Sequence, residues 1–208
     1  MLKTMAFVLT PFIKFIVKHP GIMETKLFLK MMSVFPARIS KVYDKRVVGG
    51  TDDYKLPLAR GLARIFNHPQ KILDLCTGTG FAAFATVETF PLAVVEAIDH
   101  SVDMINVAEQ KKQKKDVSNV HFKIGNALKL EYLENEFDFI VTSNAPIYLS
   151  EIFRVLKTDG LFLATYSFAG EAFVNAKKEI IDYLKKNGLK LLEIEKVGSG
   201  VYILSQKA

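Results

Sequence analysis

Cysteine is nearly absent from this chain. Cys76 is the single one among 208 residues, so no disulfide can form within the chain, and a reducing, intracellular setting is the expectation. Long apolar runs are missing as well. No stretch reaches the ~20 mainly apolar residues needed to cross a bilayer. The greasy start is not followed by the small residues of a signal cleavage site, because Lys18-His19-Pro20 stands there instead. Repeats, low-complexity segments and signs of a second folded domain are lacking too. At this length the chain is expected to be one globular domain that buries a full core.

Basic charge is also missing from most of the chain. The net charge is +6, but residues 1–46 hold nine basic residues against Glu24 and Asp44, a net of +7. The remaining 162 residues carry 19 basic and 20 acidic groups, a net of −1. A near-neutral body argues against a broad nucleic-acid surface. The basic segment is also apolar: Phe7, Val8, Leu9, Phe12, Ile13, Phe15, Ile16 and Val17 form one run, and Leu27, Phe28, Leu29, Met31, Met32 and Val34 a second. Two short basic, aromatic-rich helices suit a membrane surface, an apolar substrate, or plain packing against the sheet or a second copy of the chain.

The stretch around which the rest is arranged is Lys71-Ile-Leu-Asp-Leu-Cys-Thr-Gly-Thr-Gly-Phe81. Ile72, Leu73 and Leu75 read as a buried strand, Gly78 and Gly80 as a tight loop, and Phe81 to Phe90 as a helix. Strand, glycine turn and helix open a nucleotide-binding βαβ unit. Glycine lets the backbone approach a ligand, and a helix N-terminus offers unpaired N–H groups. Asp74, at the strand's end, suits a cationic or hydroxyl-bearing part of a ligand. Gly78-Thr-Gly80-Phe-Ala-Ala83 also fits the Gly-x-Gly-x-x-Ala of dinucleotide binders.

Strand and helix patterns alternate on either side. A helix is expected over Lys55–Phe66, burying Leu58, Leu62, Ile65 and Phe66. Strands are expected at 71–76, 93–99, 120–126, 137–144 and 161–168. Helices fall at about 79–90, from a Ser101 cap to about Gln113 with Val102, Ile105 and Ala108 buried, at Tyr148–Leu156, and at Glu171–Asn187. The lysines at 111–115 read as a solvated helix end that suits the helix dipole. Leu189–Val197 and Val201–Gln206, joined by Gly198-Ser-Gly200, read as a hairpin.

Asp74, Asp99, Asn126 and Ser143-Asn144 each end a successive strand, and in a parallel sheet those ends share one edge. Asp99, 19 residues past Gly80, is placed to take both hydroxyls of a ribose. Asn126 can accept from an exocyclic amine while the Ala127 N–H donates to a ring nitrogen, a way to hold adenine.

These segments together resemble the class I S-adenosylmethionine-dependent methyltransferases, from about residue 41 onward. Leu73-Asp-Leu-Cys-Thr-Gly-Thr-Gly80 resembles the glycine motif, with Cys76 where a glycine is usual. Ala97-Ile-Asp-His-Ser-Val-Asp-Met104 resembles the ribose motif. Gly125-Asn-Ala127 resembles the adenine motif, with Asn126 in place of Asp. Phe137-Asp-Phe-Ile-Val-Thr-Ser143 and Glu151-Ile-Phe-Arg-Val-Leu-Lys-Thr-Asp-Gly-Leu161 resemble the segments around strands four and five.

The resemblance implies an α/β, Rossmann-like, doubly wound seven-stranded sheet of order 3-2-1-4-5-7-6 with its last strand antiparallel. A helical extension, residues 1–46, would precede the cofactor-binding domain, residues 47–208. It implies S-adenosyl-L-methionine as cofactor, with Asp74, Cys76, Thr77, Gly78, Gly80, Asp99, His100, Met104, Asn126, Ala127 and Ser143 around it. Such transfer needs positioning and a dry site more than a base. No catalytic residue is therefore assigned, although Tyr43, Tyr148, Tyr166 and His100 are placed to face the pocket. Strand four ends Ser143-Asn-Ala-Pro-Ile147, not in the Asn-Pro-Pro-Tyr of many amine-directed enzymes. Tyr43-Asp44 and the Arg154 segment resemble the branch that methylates quinone precursors and other small or lipophilic acceptors. The expectation is thus a cytoplasmic enzyme for a small lipophilic acceptor, with peripheral membrane contact through residues 1–46 and a homodimer left open. A non-catalytic cofactor-binding or interaction protein and an NAD-dependent oxidoreductase remain as alternatives.

Overall fold

The structure, a computed structural model, describes residues 2–19, 21–22, 25 and 52–208, with side chains from residue 10 and, in the second block, from residue 53. Its strands are β1 (Lys71–Leu75), β2 (Val94–Asp99), β3 (Val120–Ile124), β4 (Phe137–Ser143), β5 (Leu156–Tyr166), β6 (Leu189–Val197) and β7 (Gly200–Lys207). Its helices are α1 (Leu2–Lys18), α2 (Asp52–Leu62), α3 (Phe81–Thr89), α4 (Val102–Lys115), α5 (Leu149–Val155), α6 (Gly170–Asn175) and α7 (Lys177–Lys186). The boundary expected at residue 46, the apolar run beyond Thr25 and Tyr43-Asp44 lie outside the described residues.

One seven-stranded sheet runs β3-β2-β1-β4-β5-β7-β6. Strands β1 to β5 pair in parallel, and β7 lies antiparallel between β5 and β6. The inner strands are apolar on successive residues because both faces are covered. Ile72, Val95, Ala97, Phe139, Val141 and Leu163 pack on α2, α3 and α4. Leu73, Leu75, Ile98, Ile140, Phe162 and Ala164 pack on α5, α6 and α7, with Ile13 of α1 in the same cluster. Each such valine, leucine, isoleucine or phenylalanine side chain removed from water contributes about 1.5–3 kcal/mol. Asp74 and Asp99 are buried exceptions at strand ends.

Several expectations shift. The first apolar run is a single 17-residue helix that continues through Pro11; the hydrogen bond lost at proline is outweighed by docking of α1 on α6 and α7. Helix α2 stops at Leu62, so Phe66 falls beyond it and is 78% exposed. On α4 the buried arc is Met104, Ile105 and Ala108. Val102 stands about 120° from Ala108 at 100° per residue, and it is exposed. Strand β5 begins at Leu156, which pairs with Phe137 across a register shift, and Asp159 takes φ 61° there. The expected Glu171–Asn187 helix breaks at Ala176 into α6 and α7.

The last strand is fastened from inside. Lys207 Nζ donates to Asn135 Oδ1 (2.9 Å), Phe153 O (2.7 Å) and Leu156 O (2.8 Å), and lies 4.2 Å from the Phe153 ring centroid. Burial holds its pKa below the ordinary lysine value.

Candidate active site at the carboxyl edge of the sheet

The β1–α3 loop folds tightly for reasons visible residue by residue. Cys76, Gly78 and Gly80 have φ of 58°, 56° and 87°, the left-handed region that costs a non-glycine residue of order 1 kcal/mol. Cys76 therefore takes a glycine-like conformation where the resemblance expects glycine. A Cβ on Gly80 would come within 2.7 Å of the Phe84 ring and 2.9 Å of Phe122, so Gly80 serves both the turn and the aromatic packing beneath it. Nothing stands within 4 Å of a Cβ built on Gly78, which leaves that backbone open to close approach.

Backbone bonds pin the loop to β2. Thr77 N–H donates to Ile98 O (2.9 Å) and Gly80 N–H to Thr77 O (3.0 Å). The Asp99 carboxylate accepts the Gly78 N–H on Oδ2 (2.9 Å) and the Ser101 N–H on Oδ1 (2.9 Å). Each oxygen keeps a further lone pair, so Asp99 is oriented by the backbone and still able to accept. His100 Nδ1 lies 3.4 Å from Asp99 Oδ1, with its ring half exposed. Ser101 caps α4, and its Oγ accepts the Met104 N–H at 3.4 Å. Lys111, from the cluster expected to be a solvated helix end, reaches back to donate to Thr79 O (3.0 Å).

Asp74 lies fully buried under this loop. Thr77 Oγ1 donates to its Oδ2 at 2.5 Å, while Oδ1 has no hydrogen-bond partner among the described residues. Burial raises its pKa from 3.8 to about 7, with the Thr77 hydroxyl opposing the shift and the nearby Asp99 charge adding to it. The Cys76 thiol, next to both carboxylates, is pushed far above its ordinary value by burial, so it is held as a thiol and not as a nucleophile.

Asn126 and Ala127 follow β3 on the same edge. Asn126 Oδ1 accepts the Leu128 N–H (3.0 Å) and shapes its own turn. Glu151 and Arg154 of α5 anchor the segment beyond that turn. Glu151 Oε2 accepts the Leu130 N–H (2.7 Å). Arg154 grips both oxygens of Glu151 at 2.8 Å and donates to Tyr132 O (2.7 Å) and Leu130 O (2.9 Å). The Arg154 bonds hold the Glu151 carboxyl below its usual range.

Ser143 ends β4, and next to it Asn144, at φ 55°, ties three elements together. Its Nδ2 donates to the Tyr54 hydroxyl (2.9 Å) and Ser167 Oγ (3.0 Å), and its Oδ1 accepts the Ser167 N–H (2.8 Å). Ser167 Oγ donates to Tyr54 O (2.8 Å), and the Tyr54 ring lies 5.4 Å from that of Phe81. Tyr54 escapes the sequence reading because it belongs to no strand-end motif, and Ser167 because the expected strand at 161–168 runs through it whereas β5 ends at Tyr166. Tyr148 caps α5 in the core. The Tyr166 hydroxyl donates to Ala145 O (3.0 Å), its ring stacks on Phe173 at 4.3 Å, and burial pushes its pKa up. Tyr166 therefore carries no basic phenolate at neutral pH.

The sheet's opposite edge has a cavity of about 210 Å³ whose lining includes His68, Asp138 and Lys157. Asp138 there is already occupied by the Gln70 and Lys71 amides and by Lys157. The open backbone and the orphaned carboxylate oxygen lie at the carboxyl edge, where doubly wound sheets bind ligands.

Fold, strand order and glycine loop define a Rossmann-like methyltransferase architecture. The chain belongs to the family described as "Methyltransferase domain", whose model matches residues 67–199. The demethylmenaquinone methyltransferase of Lactococcus lactis is 33% identical over 136 residues, covering 59% of this chain and 54% of that protein. That of Geobacillus sp. is 34% identical over 99 residues, covering 44% and 42%. The chain thus spans about half the length of the curated relatives it matches. Among solved structures, a SAM-dependent methyltransferase from Aquifex aeolicus superposes with TM-score 0.67 at 21% identity, over 83% of this chain and 98% of that one. Geranyl diphosphate C-methyltransferase from Streptomyces coelicolor superposes with TM-score 0.59 at 13% identity, over 73% and 75%. At these identities the likeness concerns the fold.

Proposed function

We propose that this protein transfers a methyl group from S-adenosyl-L-methionine to a small lipophilic acceptor. The observation that carries the cofactor half is Asp99, a carboxylate fixed by two backbone amides beside an open glycine loop. A vicinal diol is the natural complement of such a carboxylate, because two hydroxyl donors meet its two oxygens.

The residues present fit the cofactor. Gly78 would offer open backbone to its methionine part while Gly80 sets the turn, and the orphaned Asp74 Oδ1 would suit an ammonium group. His100 and Met104 would flank the adenosine, and Asn126 and Ala127 would offer an acceptor and an N–H to adenine. Cys76, Thr77 and Ser143 complete the wall. When bound, the cofactor supplies an electrophilic methyl on a sulfonium. The protein's own residues bind it, aim it and keep water out, and no side chain is assigned as a base.

The acceptor half is supported by the demethylmenaquinone methyltransferases among the relatives. It is also supported by apolar groups near the carboxyl ends of β4 and β5, including Ile147, Tyr148, Tyr166 and Phe173.

Calorimetric titration with S-adenosylmethionine and S-adenosylhomocysteine, with NAD as control, tests the cofactor half. Binding of both adenosyl ligands, no binding of NAD, and loss of binding in a folded Asp99→Ala variant are expected. Undiminished affinity in that variant would sink the ribose assignment. An acceptor screen starting from quinols and lipids then tests the substrate class.

A further inference from the structure

Helix α1 is apolar on two sides. Ile13 is buried, and Ile16 and Val17 pack on the same core against α6 and α7. Lys14 is drawn to Glu179 of α7 at 3.3 Å. The opposite side carries Phe12 and Phe15, which are 54% and 51% exposed, one helical turn apart. Exposed His19 extends that row, its ring 4.9 Å from Phe15, and exposed Pro11 and Lys18 flank it. A helix that only covered a sheet would present polar residues outward. Neighbouring exposed phenylalanines on a basic helix have the composition of an element lying in a membrane interface.

The charge points the same way. Helix α1 contains Lys3, Lys14 and Lys18 and no acidic residue. On α7, where α1 docks, Lys177, Lys178, Lys185 and Lys186 are exposed alongside Asp182. The location also fits: α6, on which α1 packs, follows directly from the carboxyl end of β5, and the linking Phe168 is itself half exposed. The helix that carries the aromatic row therefore docks on the element next to the carboxyl end of β5.

We infer that the outer face of α1, through Phe12, Phe15 and Lys18, docks the protein onto an anionic bilayer surface. The inference rests on the lipophilic-acceptor reading for its purpose, since such an acceptor resides in the bilayer, but its physical basis is independent of catalysis. Binding combines insertion of the two rings with attraction of Lys18 to anionic headgroups.

The test is co-sedimentation of the full chain with phosphatidylcholine vesicles and with vesicles containing about one third phosphatidylglycerol. Binding to the anionic vesicles, weakened by added salt, is expected. A Phe12→Glu, Phe15→Glu double variant should bind at least about tenfold more weakly, because it loses both rings and places two negative charges at an anionic surface. Its circular dichroism and S-adenosylmethionine affinity should match the parent chain. Equal vesicle binding by the variant, equal binding to both vesicle types, or no binding by the parent chain would each overturn the inference. Adenosyl binding without vesicle binding would leave the methyltransferase reading standing alone. Vesicle binding without adenosyl binding would support the α1 surface and sink that reading.

Discussion

Asp74 is a carboxylate in an environment far from its ordinary one. Its carboxyl is buried, with one oxygen held by Thr77 and the other unpartnered among the described residues. In the folded protein its pKa is about 7, against an ordinary 3.8, so the native state keeps a proton that the unfolded chain has lost. Its contribution to stability is therefore fully present below pH ~4 and declines as pH rises toward 7. Asp74→Asn keeps the shape without the charge. Relative to the parent chain, the variant should gain stability between pH 4 and 7, by up to roughly 4 kcal/mol. Denaturant unfolding of both proteins at pH 5 and pH 8 measures the difference; a gap that is the same at both values would mean that Asp74 is solvated. The same position should matter to the ligand, because a nearby ammonium would favour the charged carboxylate. Asp74→Asn is accordingly expected to weaken S-adenosylmethionine binding at pH 8 more than at pH 6, as read by calorimetry.

Among elements, the joint between α2, β4 and β5 is the clearest case of tertiary structure supplying what local sequence does not state. Asn144 spends both ends of its amide on Tyr54 and Ser167, and Asp53 of the same helix accepts the Ser199 N–H of the β6–β7 turn at 3.3 Å from each oxygen. Asn144→Ala should cost about 2–3 kcal/mol, since it strands buried partners and leaves a residue poorly suited to φ 55°. Tyr54→Phe, which removes one hydroxyl, should cost about 1 kcal/mol. Chemical denaturation checks both values, and a double-mutant cycle showing no coupling would refute the shared network. The inner parallel strands were legible as short apolar runs with a polar residue at or near the carboxyl end, and β3 by its alternation. The start of β5 was not, since Lys157-Thr-Asp-Gly160 has loop composition and is extended only because Leu156 finds Phe137 across a register shift. Nor was the break at Ala176, where neither proline nor glycine marks the spot.

At the scale of the molecule, the strand order that the family resemblance implies holds in the structure, terminal hairpin included. The hydrogen-bonding state of the strand-ending polar residues could not be read. The neighbouring amides of Gly78 and Ser101 already occupy Asp99, and Asn126 already serves its own turn. The Gly78 contact exists only once β1 and β2 have paired, whereas the Ser101 and Asn126 bonds are local turns. A distant contribution such as Tyr54, 90 residues before Asn144, carries no spacing signal at all.

Of the seven described strands, the last in chain order is an interior one. Strand β7 is flanked by β5 and β6, and its Lys207 is bound to three acceptors from other segments. During synthesis β5 therefore waits with an open edge, and β6 has no strand partner until residues 200–207 thread between them. Open edges recruit other strands, so a nascent chain of this design depends on fast completion or on a chaperone that shields it. A stop codon after Ser199 should yield insoluble protein and not a smaller soluble domain, which fractionation of expressed lysate would reveal. Residues 200–207 thus decide whether the preceding sheet is a domain or an aggregate.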